Sequence, residues 1–180
     1  MKTVVAIDPA TTTGIALVGY NRSGPPVYMG SATVKLDSKK RSGWFSKASD
    51  AVSEVVNRDR QLNSSACVEP ACWVIETWSH HRNFRDAIRL AQIQQVWIDV
   101  ACSLGSQPFL YNVTSWQAAI GAGALKSKVH GANARKNHAQ AWAKRTYRLD
   151  KKITNDVADA LCMAGVWVGE NRYNQEELTL

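Results

Sequence analysis

Residues 4–18, VVAIDPATTTGIALV, constrain this chain more than any other stretch. Val4, Val5, Ala6 and Ile7 form a short apolar run rich in β-branched residues, the composition of a buried strand. The run stops at Asp8, passes through Pro9 and a Thr-rich turn closing at Gly14, and resumes as Ile15–Val18, a second strand leading back. A carboxylate at the edge of a buried strand is costly unless it is paired, hydrogen-bonded or metal-bound. Two readings of Asp8 follow: it caps the Thr11–Thr13 turn through its own side chain, or it belongs to a site.

The rest of the chain supplies the partners for that hairpin. The turn signal Asn21-Arg22-Ser23-Gly24-Pro25-Pro26 precedes a third strand, Val27 to Leu36, so an antiparallel meander of three is expected. Trp44, Phe45, Ala48, Val52, Val55 and Val56 recur at helical spacing and predict a helix ending near Arg60. Cys72 to Trp78, CWVIETW, is a second buried-type strand, with Cys72, Val74, Glu76 and Trp78 on one face. A crossover through a helix makes the new strand parallel to an earlier one. Asp8 and Glu76 would then emerge together at the carboxyl ends of neighbouring strands, where open α/β sheets place their sites.

Further on, a helix is expected from Asn83 to Leu104 and a short strand from Phe109 to Val113. Thr114-Ser115 offers a cap for a brief helix from Trp116 to Ile120. Gly121-Ala122-Gly123 opens a connection to about Asn133, read as mobile, before a helix from Ala134 to Tyr147. A last helix, N-capped by Thr154, runs to about Val168. The reading is one domain over residues 1–169, followed by a polar, flexible tail over 170–180.

That last helix opens NDVADAL, and the three-residue spacing of Asp156 and Asp159 puts both carboxylates on one face. Ordinary placement of acids at a helix N-terminus accounts for them taken alone. Taken with Asp8 and Glu76 they make four hard oxygen donors with no His or Cys, a set suited to Mg²⁺ or Mn²⁺ rather than zinc. Two such ions can clamp the attacking and leaving oxygens of a phosphoryl displacement.

Charge is placed unevenly. The chain nets +7, yet residues 126–152 hold nine basic residues (126, 128, 135, 136, 144, 145, 148, 151 and 152) against the single acid Asp150. Such concentration is the footprint of a polyanion binder, and Lys126, Lys128, Arg135, Lys136, Lys144 and Arg145 are candidate DNA contacts.

In this order the motifs resemble the RuvC family of Holliday junction resolvases: the acid of IDPATTTG, the acid of VIETW, a basic helix, and the D-x-x-D of NDVADALCMA. The resemblance spans roughly Thr3 to Trp167. It implies an α/β, RNase H-like fold with a five-stranded mixed sheet, the three-stranded antiparallel meander plus parallel strands, flanked by helices. It implies a homodimer that cuts four-way DNA junctions, with other branched DNA as a further candidate substrate, using divalent metal, two ions per active site. Asp8, Glu76, Asp156 and Asp159 match the family's four acids, and Lys136 in ARKNHAQ matches its basic residue facing the scissile phosphate. There are departures. Ala10 stands where Gly is common, and Ser79 stands where an aromatic wedge usually falls, with Trp78, one place earlier, the candidate wedge and DNA contact. A second expected Lys falls close to Trp116, and the connection from Gly121 to Asn133 is longer, a divergence suited to a phage or viral member.

Two other readings compete. Asp8 with its Thr-rich turn also resembles the first phosphate loop of actin-like and sugar-kinase nucleotide-binding domains, which pair two such domains where 180 residues leave room for one. A non-catalytic DNA-architectural protein would need only the basic segment. His80 and His81, just after Glu76, read as polar loop residues. Ile88, Ile93, Val96 and Val100 lie partly off the main apolar stripe of the 83–104 helix and suggest a partner surface. The four cysteines, 67, 72, 102 and 162, form no CxxC pair and read as reduced thiols. No apolar stretch is long enough to span a bilayer, and with no leader ahead of the first strand the expected location is the cytoplasm.

Overall fold

The computed structural model describes residues 1–36, 41–62, 72–77, 83–125, 127–131 and 133–172. Strands β1 (Lys2–Asp8), β2 (Thr12–Tyr20) and β3 (Val27–Lys35) form the expected meander. Helix α1 (Trp44–Leu62) leads to β4 (Cys72–Thr77), and α2 (Phe84–Ser103) leads to β5 (Phe109–Asn112). The five strands lie in the order β3-β2-β1-β4-β5. β1 is antiparallel to β2 and parallel to β4, which is parallel to β5, so the sheet is mixed as the sequence reading required.

Period-two alternation divides the side chains of the central strands between two cores. Val5, Ile7, Ile15, Leu17, Trp73 and Ile75 face α1 and α2, where they bury Trp44, Val52, Ile93 and Trp97. Val4, Ala6, Ala16, Val18 and Val74 face the C-terminal helices. These are α3 (Val113–Ala119), α5 (Ala134–Tyr147) and α6 (Asn155–Asn171). Helix α6 is apolar nearly all round, from Val157 to Val168, because it is wedged between the sheet and α5. It runs to Asn171, past the expected end at Val168.

Two local readings are corrected. The cap of α3 is Asn112, whose side chain accepts hydrogen bonds from Thr114 N and Thr114 Oγ1, both at 2.8 Å. Thr114 and Ser115 sit inside the helix, which begins as soon as β5 ends. The connection after Gly121 is not a bare loop: its described residues include a 3₁₀ turn, Ala122–Ala124, and α4 (Ser127–His130). Its start is fixed by a left-handed Gly121 (φ 80°) and by a 2.7 Å hydrogen bond between His138 Nε2 and Ile120 O. Among the described residues no helix is long and apolar enough to cross a membrane.

Candidate active site

The same alternation aims the first two acids. Val4 and Ala6 face the C-terminal helices, so Asp8 does too; Val74 does, so Glu76 follows. Ile7 pairs with Ile75 across the parallel β1/β4 ladder. Asp8 and Glu76 are the next residues on their strands, and both face α3, α5 and α6.

The capping reading of Asp8 is not what the turn shows. Thr13 Oγ1 donates to Ala10 O at 2.8 Å, and Leu36 N, just past β3, donates to Thr11 O at 3.0 Å, so the turn is held by its own hydroxyl and by the end of β3. Glu76 is held at two points. Gln94 Nε2 of α2 donates to its backbone carbonyl at 3.2 Å, and Trp116 Nε1 of α3 donates to its carboxylate Oε2 at 2.9 Å.

The second pair of acids arrives on α6. Thr154 caps that helix as expected, its Oγ1 accepting from Val157 N at 3.2 Å. The first turn then packs directly on β2 at Gly14, which pairs with Asp8 in the β1/β2 ladder. A Cβ on Gly14 would run into the backbone carbonyl of Asp156 and lie 2.7 Å from Val157 N. Only a residue without a side chain lets the start of α6 reach the end of β1.

The four acids are near enough to influence one another's charge. Burial raises the Asp8 carboxyl well above its ordinary range; Glu76, Asp159 and Asp156 raise it further, and Lys136 opposes them. Burial, then Asp159, pushes Glu76 up to about 7, against the hydrogen bond from Trp116. Burial, then Asp156, brings Asp159 to about 7, again with Lys136 opposing. Asp156, the most open of the four, is raised by burial and lowered by Lys136. Lys136, in the first turn of α5, is the cation that all three aspartates feel.

The other candidates are distributed differently. Arg135 is exposed, but its Nε donates to Leu125 O at 3.0 Å, so part of its guanidinium holds the connection before α5. Lys144 and Arg145 lie in the last turn of α5, two turns beyond Lys136. Trp78 and Lys126, like His80 and His81, lie outside the described residues. Lys128 falls on α4. The sequence reading passed over three participants. Trp116 read as a core residue, Gln94 as part of the apolar stripe of its helix, and Gly14 as a turn residue; only their partners reveal them. Beside Asp156, a cavity of about 480 Å³ opens between α5 and α6, lined by Gln140, Lys152, Ile153, Thr154 and Asn155.

Among the described residues the donor set suits a hard divalent cation: four carboxylates, no imidazole beside them, and one lysine against the charge of the aspartates. Among the described residues no three such side chains are gathered tightly enough to hold an ion as they stand.

No protein-family model matches the sequence, and no curated protein sequence does. Solved structures do match. Thermus thermophilus RuvC in complex with a Holliday junction substrate superposes with a TM-score of 0.72 at 16% identity, over 96% of each chain. A second Thermus thermophilus RuvC structure superposes with a TM-score of 0.68 at 18% identity, over 93% of this chain and 95% of that one. The likeness is one of fold and runs from end to end: this chain has the RNase H-like fold of RuvC.

Proposed function

We propose that this protein is a metal-dependent endonuclease that cuts four-way DNA junctions, and that it does so as a homodimer making paired phosphodiester breaks. What supports the reading is the electrostatic coupling of Asp8 to Glu76, Asp156 and Asp159, from three separate elements, with Lys136 as the cation that the three aspartates share. Asp8, Glu76, Asp156 and Asp159 would hold Mg²⁺ or Mn²⁺, two ions per site. When bound, such ions supply positive charge to the attacking and leaving oxygens of the displacement. Lys136 extends from the exposed side of α5 and would meet the charge that grows on the phosphate during cleavage. Lys144 and Arg145, farther along the same helix, would hold a neighbouring stretch of DNA backbone. The RuvC crystallised with a Holliday junction supports the choice of substrate.

The dimer rests on α2. Ile93 and Val100, which the sequence reading offered to a partner, are fully buried in the core, and Val96 packs against it. Ile88 remains 43% exposed, joined one turn earlier by Phe84 at 78%. Two apolar side chains four residues apart on an open helix face suit the self-complementary contact of a two-fold dimer.

The nucleotide-binding reading has less support, because Gly14, the glycine of its supposed phosphate loop, is covered by the backbone of Asp156. An architectural role leaves the four acids without a purpose. The deciding experiment incubates the protein with a synthetic four-way junction and Mg²⁺, with linear duplex as control. Symmetric cuts in the junction alone support the proposal; an uncut junction in Mg²⁺ and in Mn²⁺ refutes it.

A further inference from the structure

Trp116 is buried, at 1% exposure, and its indole N–H points out of the apolar cluster into the acidic site. Its placement is built in steps. Tyr111 of β5 pairs with Glu76, and Asn112 with Thr77. Asn112 then caps α3, so the helix turns back over the end of β4 without any loop. One turn into α3, Trp116 lies over Glu76 and donates to Oε2 at 2.9 Å. From the opposite side of the sheet, Gln94 holds the backbone carbonyl of the same residue at 3.2 Å.

The bond is not needed to satisfy the indole. Among the described residues, Trp97 and Trp167 bury their Nε1 atoms with no hydrogen-bond partner. The core therefore tolerates an unpaired indole N–H, and the partner gained by Trp116 matters chiefly to Glu76. A carboxylate on a flexible side chain can turn either oxygen, or both, toward a cation. With Oε2 engaged by a fully buried donor, Oε1 is the freer of the two oxygens.

We infer that Trp116 is a positioning residue for Glu76: its indole N–H holds Oε2 so that Oε1 alone is presented to a divalent cation. The inference rests on the metal-dependent reading above. Partners of this kind, one step removed from a ligand, typically change metal affinity or activity ten- to a hundredfold when removed.

The test compares wild type with Trp116→Phe, which removes the donor while keeping an aromatic ring in the pocket. Mn²⁺ binding is followed by calorimetry, junction binding in EDTA by gel shift, and cleavage as a function of Mg²⁺. The expected result is Mn²⁺ affinity and Mg²⁺ midpoint weakened at least about tenfold, with junction affinity unchanged. Equal Mn²⁺ affinity and superimposable Mg²⁺ curves in the two proteins overturn the inference while leaving the nuclease reading intact. Wild type that neither binds Mn²⁺ nor cuts the junction overturns the metal reading itself, and this inference with it. Should Trp116→Phe not fold, the wild-type indole resonances decide. The assigned Trp116 N–H signal must move with Mg²⁺ at the midpoint of metal binding and must shift in Glu76→Gln. A signal indifferent to both overturns the inference.

Discussion

Gly14 meets the backbone of Asp156 with no side chain between them, and this contact joins the two halves of the acidic site. The neighbouring ladder position on β1 is Asp8, so the contact sets how closely the α6 acids approach the β1 acid. Gly14→Ala should force α6 outward. Overpacking of this kind costs about 1–3 kcal/mol or more, and melting curves should show the loss. Cleavage of a junction should fall further than the fraction of folded protein. A Gly14→Ala protein with normal melting and normal cleavage would mean that the contact is not tight.

The acids should separate chemistry from binding. Asp8→Asn, Glu76→Gln and Asp156→Asn are each expected to reduce cleavage by about a hundredfold or more and to leave junction affinity nearly unchanged, since none touches the basic surface. Gel shifts in EDTA beside cleavage in Mg²⁺ measure both. Normal cleavage by Asp8→Asn would remove it from the site.

The metal-free protein should become more stable as the medium becomes more acidic across neutrality. Glu76 rises from 4.5 to about 7 and Asp159 from 3.8 to about 7, so in this window the folded chain binds more protons than the unfolded one. Linkage then makes stability fall as pH rises from about 4 to about 7. The full cost is present above the folded pKa values and is absent below the unfolded ones. The values belong to the coupled set of acids rather than to one residue. In EDTA the melting temperature should be higher at pH 5.5 than at pH 8, by the equivalent of about 1–3 kcal/mol, and Mg²⁺ should flatten the difference. For the same reason Glu76→Gln should be at least as stable as wild type in EDTA at pH 8. The opposite slope would show that the carboxylates are already neutralised by partners within the fold.

Within α5, Lys136→Ala is expected to lower cleavage about a hundredfold while changing binding little. Lys144→Ala and Arg145→Ala should weaken binding to every DNA and reduce its salt slope by up to about one each. Equal behaviour of all three variants would remove the special role of Lys136.

Symmetry can be read from products. Mixed dimers of wild-type and Asp8→Asn subunits should nick a supercoiled cruciform plasmid, whereas wild-type dimers linearise it. Replacing Phe84 and Ile88 together by Glu should yield monomers in sedimentation and abolish linear product. A wild-type monomer that still linearises the plasmid would refute the dimer.

Sequence alone determined the elements and the order of the four candidate acids, because both are written locally. Apolar runs of strand length end in Asp8 and Glu76, helical spacing marks α1 and α2, and Thr154 caps a helix that opens with two acids. Tertiary structure decided what depends on partners distant in the chain. Whether the apolar surplus of α2 faced a partner or the core was settled by packing: Ile93 and Val100 lie against the sheet, while Phe84 and Ile88 project beyond it. Asn112 rather than Thr114 caps α3, because the helix starts without a loop after β5. Trp116 reads as one apolar residue among many until the fold lays α3 over β4 and turns its N–H onto Glu76, 40 residues away. Gly14 reads as part of a turn until α6, more than a hundred residues later, packs where its side chain would be. Periodicity and composition are properties of neighbours in the chain, whereas a hydrogen bond or a close approach between distant elements exists only once the sheet has brought them together.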